Sequence, residues 1–234
     1  MPPRSSRAAS RRYPRPNAPR RPSCSWFWFL VALFVLVVAA LILRQPRSEP
    51  RLIGIVAGHW QYDSGATCQD GLREVDITLP VAQRVVRLLQ DQGYQAEVLG
   101  EYSDRLRGLR ATAVVSLHAD SCLPDFSGYK IAGQSSGPAA GPSALLVECL
   151  SRAYAAASGL RFHENTVTPA MTHYHAFYEV DPQTPIAIVE LGFMGGDRTL
   201  LTAQQERVAL GIAQGIVAFL NAISEPPATP TTLR

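Results

Sequence analysis

Apolar residues run unbroken from Trp26 to Leu43, then break into short blocks separated by polar, glycine and proline residues. The first block, WFWFLVALFVLVVAALIL, holds 18 uncharged residues. At ~1.5 Å per residue that is near the lower limit for crossing a bilayer core. Beyond it, LIGIVA (52–57) reads as a buried strand ended by Gly58. From Glu74 the period changes: Ile77, Val81, Val85, Leu88 and Leu89 form a helical stripe that stops at Gly93. QAEVLG (95–100), ATAVVSLHA (111–119) and GYKIAG (128–133) read as three more strands, and Pro142 opens a helix to about Ser158. AFYEV (176–180) reads as a short strand and PIAIVEL (185–191) as a strongly buried one. A last helix covers about Ala203 to Ile223, with Val208, Ile212, Ile216 and Phe219 inward. Strands alternating with helices predict an α/β domain: a mostly parallel or mixed central sheet with helices on both faces, preceded by one N-terminal transmembrane helix. Functional residues in such sheets gather at the carboxyl ends of strands.

Five segments follow: an Arg/Pro-rich tail (1–25), an anchor (26–44), a polar linker (45–51), the main domain (52–224) and a disordered tail (225–234). Charge sharpens this division. The first 44 residues hold eight arginines and no acid, so of 22 basic and 19 acidic residues the rest keeps 14 and 19, a net of −5. The basic excess lies beside the apolar run and the main domain carries no basic stripe, which argues against nucleic acid as its ligand. Seven arginines precede the run, against Arg44, Arg47 and Arg51 after it, which predicts a cytoplasmic N-terminus and an extracytoplasmic domain. Trp26 and Trp28 stand at the basic end, where indoles favour the headgroup boundary. A cleaved signal peptide is the alternative, given Val38-Ala39-Ala40, but the run continues through Leu43 and an uncleaved anchor is favoured.

Four polar residues sit where chemistry is expected. His59 follows LIGIVAG, His118 closes VVSL, Glu190 ends PIAIV, and Glu74 opens the first long helix. Singly, each has an ordinary reading: a satisfied structural histidine, or a carboxylate favoured by a helix N-terminus. Glu190 is the odd one, because a carboxylate beside a buried strand is costly without a partner. Together they supply two imidazoles and a carboxylate, the donor set of a catalytic zinc site, plus a further carboxylate. From the residues alone the reading reaches metal-assisted hydrolysis of an amide or similar acyl bond.

The order Gly58-His59, Leu72-Arg73-Glu74, Ser116-Leu117-His118-Ala119-Asp120 and Val189-Glu190-Leu191-Gly192-Phe193 resembles the zinc-dependent N-acetylmuramoyl-L-alanine amidases, over about residues 52–224. The resemblance implies one zinc ion held by His59, Glu74 and His118, with Glu190 as catalytic base. It implies that peptidoglycan is the substrate, cut at the amide between N-acetylmuramic acid and L-alanine. There are departures from the family's pattern: Trp60-Gln61-Tyr62 after the first histidine, a short segment between 100 and 111, and Met194-Gly195-Gly196 after the last motif. No long insertion of the kind that blocks some regulated relatives is seen. An activator or wall-binding partner is left open. Another zinc peptidase acting on wall stem peptides, or a non-catalytic wall-binding regulator, are the competing readings.

Arg73 and Asp120 flank the presumed ligands and are candidates for contacts behind the metal. His173 and His175, two apart in THYHAF, would share one face of a strand, as substrate contacts, structural residues or a second metal pair. His163 in RFHEN reads as loop surface. If His59, Glu74 and His118 share one ion, the loops bearing Cys68 and Cys122 leave the same end of the sheet, and a disulfide between them is expected in an oxidising compartment. Cys149, spaced with Leu145, Leu146 and Ala153 on a helical face, is expected to stay a free thiol, and Cys24 lies on the cytoplasmic side of the anchor.

Overall fold

The computed structural model describes residues 25–43 and 52–224; Cys24, the linker and both tails lie outside the described residues. The chain divides into two units, Met1–Ser48 and Glu49–Arg234. Of the first, the described part is helix α1 (Ser25–Leu43), which has no charged residue, and whose Trp28, Phe29 and Phe34 side chains are exposed.

The second unit is built on a five-stranded sheet. In chain order the strands are β1 (Leu52–Ala57), β2 (Gln95–Gly100), β3 (Ala113–Asp120), β4 (Lys130–Gly133) and β5 (Ile186–Phe193). They lie in the order β2-β1-β3-β5-β4; all neighbours are parallel except β4, which runs antiparallel to β5. Strands covered on both faces need apolar side chains on both, which is why LIGIVA and IAIV show no alternation. Ile53, Ile55, Val115, Leu117, Ala187 and Val189 enter one core cluster; Val56, Val114, Ile186 and Ile188 enter another.

Three long helices cover the first face: α2 (Val75–Gln90), α3 (Ala140–Ser158) and α7 (Gln205–Ser224). The stripe Ile77, Val81, Val85 and Leu89 of α2 is fully buried, and α7 packs against α2 and α3 through Val208, Ile212, Ile216 and Phe219. Although α7 is long and apolar enough to cross a membrane, half of it is buried in this core. The second face is covered by shorter pieces, α4 (Pro169–Thr172) and α5 (Ala176–Glu179), which contribute Met171 and Phe177, with Tyr174 and Val180 from the turns beside them.

Two sequence readings are corrected. AFYEV is not a strand. Burial falls on Ala176, Phe177 and Val180 while Tyr178 is 70% exposed, a helical pattern. The His175 ring closes the turn on Glu179 (Nδ1–Oε1 3.0 Å), as residues four apart on a helix do. The helix at Pro142 begins two residues earlier, since a first-turn proline forfeits no intrahelical hydrogen bond. The last helix is found as α7, and a short helix that the sequence reading did not include, α6 (Arg198–Ala203), precedes it, divided from it at Gln204, whose carbonyl accepts from the Arg207 and Val208 N–H groups.

Candidate metal centre and catalytic site

The site forms where β1, β2, β3 and β5 reach their carboxyl ends. After Ala57 the chain turns at Gly58, whose N–H donates to the Leu117 carbonyl (2.9 Å) and whose carbonyl accepts from Thr78 Oγ1 (2.7 Å). A β-carbon on Gly58 would lie 2.6 Å from both His118 Cε1 and the Leu117 oxygen, so only glycine fits. His59 then takes a left-handed backbone, φ +67°, which costs a non-glycine residue roughly 1–2 kcal/mol. Its N–H donates to Glu101 Oε2 (2.9 Å), and the loop is tied again by Glu101 N–H to the Trp60 carbonyl (3.1 Å). Across the site Gly65, at φ +64°, lets the returning loop pass within reach of Glu74 and the His59 ring.

Glu74, 5% exposed, stands just ahead of α2 between the two imidazoles. Its Oε1 meets His118 Nδ1 (3.0 Å) and the Ala119 N–H (3.0 Å); its Oε2 meets His59 Nε2 (3.1 Å) and the Ala66 N–H (3.2 Å). One donor atom from each of His59, Glu74 and His118 lies within 4.8 Å of the others. Burial alone would raise the Glu74 carboxyl, but its bonds to the two rings outweigh burial and hold it at about 2. Burial likewise lowers His118, yet Glu101 and Glu74 reverse this and raise it to about 10. His59 is raised, chiefly by its bond to Glu74, and its other nitrogen contacts Asp63 (Nδ1–Oδ1 2.6 Å).

Glu190 is the register partner of His118 on one side and of Lys130 on the other. Its Oε2 is buried without a hydrogen-bond partner. Burial pushes its carboxyl up to about 7, opposed by the positive charges of His118 and Lys130. The Lys130 ammonium, buried, is paired with Asp120 and donates to the Thr166 carbonyl (3.1 Å). Two carboxylates close to one imidazole are thus shifted in opposite directions, Glu74 down and Glu190 up. The donor set of two imidazoles and one carboxylate, with a second carboxylate left unpartnered, suits a catalytic metal ion with an open position.

Comparison with known proteins decides the lineage. Residues 53–221 match the N-acetylmuramoyl-L-alanine amidase family. The chain belongs to that family. Its fold is shared with the amidase AmiC2 of Nostoc punctiforme: 27% identity, TM-score 0.56, covering 74% of this chain and 99% of that one. The catalytic domain of CwlV from Bacillus (Paenibacillus) polymyxa var. colistinus is similar, at 25% identity and TM-score 0.57, covering 73% and 98%. An amidase from Clostridium difficile 630 matches the fold at 19% identity and TM-score 0.60, covering 75% and 99%. No curated protein sequence matches the chain. This chain is therefore a peptidoglycan amidase of a metal-dependent family, with a His–Glu–His group that can hold a metal.

The amidase places the remaining candidates differently. Arg73 does not back a ligand: its guanidinium turns to Asp76 (Nε–Oδ2 3.0 Å), where it secures the start of α2. Asp120 contacts Lys130 and the Ser121 N–H (2.6 Å), beside Glu190 and not behind an imidazole. His173 and His175 share no strand face. His173 is exposed at the end of α4 against the Pro169 carbonyl (3.2 Å), whereas His175 Nε2 reaches Glu101 Oε1 (2.9 Å). His163 is half-buried, its Nδ1 on Thr166 Oγ1 (2.8 Å). Cys68 and Cys122 form a disulfide with Cα atoms 5.5 Å apart, and Cys149 is a free, half-buried thiol.

Sequence reasoning missed Glu101, Asp63 and Lys130. Glu101 follows β2 directly, so the rule that singles out His59 at the end of β1 applies to it equally. In GEYSDR it sits among polar neighbours that hide it. Lys130 is the only lysine in the chain, a signal that composition does show.

Proposed function

We propose that the protein hydrolyses the amide between N-acetylmuramic acid and L-alanine in peptidoglycan, using one zinc ion held by His59, Glu74 and His118, with Glu190 as general base. The observation that carries this is the pairing of a three-donor cluster within 4.8 Å with Glu190 on the adjacent strand, whose Oε2 is buried without a hydrogen-bond partner. Bound zinc supplies Lewis acidity at the scissile carbonyl. Glu190 takes the proton of the attacking water and returns it to the departing amide nitrogen. Its raised pKa suits both transfers, because a carboxyl titrating near neutrality accepts and releases a proton with little bias. The Lys130–Asp120 pair fixes the charge around that carboxyl. The disulfide joins the loop before Glu74 to the loop after His118 and limits their relative motion.

We further propose that residues 26–44 anchor the protein in the membrane with its N-terminus in the cytoplasm, because the uncharged run follows seven arginines. Protease added to wall-stripped cells then digests the main domain and spares an N-terminal tag; protection of the domain contradicts this topology. The structural relative CwlD from Clostridioides difficile is solved in complex with the GerS lipoprotein, and a protein partner is the analogous proposal for this chain.

The function is tested by mass spectrometry of peptidoglycan digested with the purified chain. The proposal expects free stem peptides beginning at L-alanine and sugar chains bearing unsubstituted lactyl groups. Cuts between residues of the stem peptide identify a peptidase instead, and an undigested wall identifies a binding module.

A further inference from the structure

Glu101 is the first residue after β2, whose Gly100 pairs with Ala57 at the end of β1. That register brings its carboxylate under the loop that carries His59. The residue is 4% exposed, and both of its oxygens are engaged. Oε2 accepts the His59 N–H at 2.9 Å and lies 3.3 Å from His118 Nε2, a buried nitrogen with no hydrogen-bond partner and Glu101 as its nearest counter-charge. Oε1 accepts from Tyr174 Oη at 2.9 Å and meets His175 Nε2, also at 2.9 Å. These partners are braced in turn: Tyr174 Oη by Ser116 Oγ (2.9 Å) and His175 Nδ1 by Glu179 (3.0 Å). The carboxylate is held from the far side and has little freedom to swing away.

The two nitrogens of His118 point in divergent directions. Nδ1 faces Glu74 and the donor cluster, so Nε2, with Glu101 beside it, is the rear of the ring. Glu101 therefore stands behind the cluster and is not a fourth ligand. A carboxylate behind a ligating imidazole fixes its tautomer and orientation and raises its basicity. His59 needs support of a different kind, because its backbone is held at φ +67°, a conformation that must be imposed by its surroundings.

We propose that Glu101 is the positioning residue of the metal centre, one buried carboxylate that fixes the backbone of His59 and the ring of His118 together. This rests on the metal-centre reading above. Through the two histidines Glu101 sets metal affinity and the geometry of the ligands, without touching the metal.

The test is zinc competition against a chromophoric chelator, with the detergent-solubilised full chain as wild type, Glu101→Gln and Glu101→Asp. Glutamine keeps the size and can still accept the His59 N–H, but carries no charge. The proposal expects Glu101→Gln to melt, metal-free, within a few degrees of wild type. It should bind zinc about 10–100-fold more weakly, the usual scale for a partner of a ligating histidine. Glu101→Asp should recover part of the loss. The cobalt-substituted Glu101→Gln protein should show a shifted visible absorption band. Wild-type zinc affinity in Glu101→Gln overturns the proposal, as does a cobalt absorption band identical to that of wild type. If both Glu101 variants unfold, the residue belongs to the fold and the proposal also fails. A wild-type chain that binds no zinc is a separate result, which overturns the metal-centre reading itself.

Discussion

Glu74 and Glu190 are both carboxylates near His118, yet the regions that hold them are built in opposite ways. Around Glu74 a loop and a helix start converge, and its two oxygens meet two imidazoles and two backbone N–H groups. Glu190 is flanked by two strands, with His118 and Lys130 as its register partners, and one oxygen is buried with no hydrogen-bond donor. The first is held at about 2 and the second is raised to about 7. Burial raises both; donors decide the difference. A carboxylate surrounded by donors stays charged and is suited to hold a cation. One denied donors keeps a proton within reach of neutral pH and is suited to move it.

The largest effects should come from breaking the first region. Replacing His59, Glu74 or His118 by alanine should remove bound metal and reduce peptidoglycan release to background, read by metal analysis and turbidity loss. In the second region Glu190→Gln should lower kcat by about 10²–10⁴-fold, the scale of a lost general base, with KM little changed. Opening the disulfide by Cys68→Ser/Cys122→Ser should cost about 4 kcal/mol by the chain-entropy estimate for its separation of 54 residues, read as a fall in Tm. Lys130→Met leaves Asp120 without its buried partner and should cost about 3 kcal/mol in denaturant unfolding.

The smallest effect is on pH dependence, and its sign is fixed. The base acts when deprotonated, so kcat/KM should fall as pH drops through the raised Glu190 value of about 7. Lys130 lowers that value, so Lys130→Met should move the acid limb upward. An acid limb in the ordinary carboxylate range, unmoved by Lys130→Met, would remove the contrast between the two carboxylates.

Much of this was legible in the sequence, for reasons that name its limits. Strands buried on both faces announce themselves as apolar blocks, and the stripe of α2 has a clear period. His59, His118 and Glu190 stand out because each ends such a block. AFYEV misled because five residues carry too little pattern to separate a strand from one helical turn; the bond from His175 to Glu179 decides it and is invisible beforehand. Arg73 misled because adjacency in sequence to a ligand is not adjacency in space across a helix start. Glu101 was hidden because its role depends on which strand lies beside which, and the placement of β2 against β1 is a property of the sheet order, not of the residues around it.

The division of labour between the two carboxylates is tested most directly by counting zinc in Glu74→Gln and Glu190→Gln, purified side by side and compared with wild type. The account predicts about one zinc per chain in wild type and Glu190→Gln, and little or none in Glu74→Gln. Loss of zinc from Glu190→Gln, or full zinc in Glu74→Gln, would contradict it.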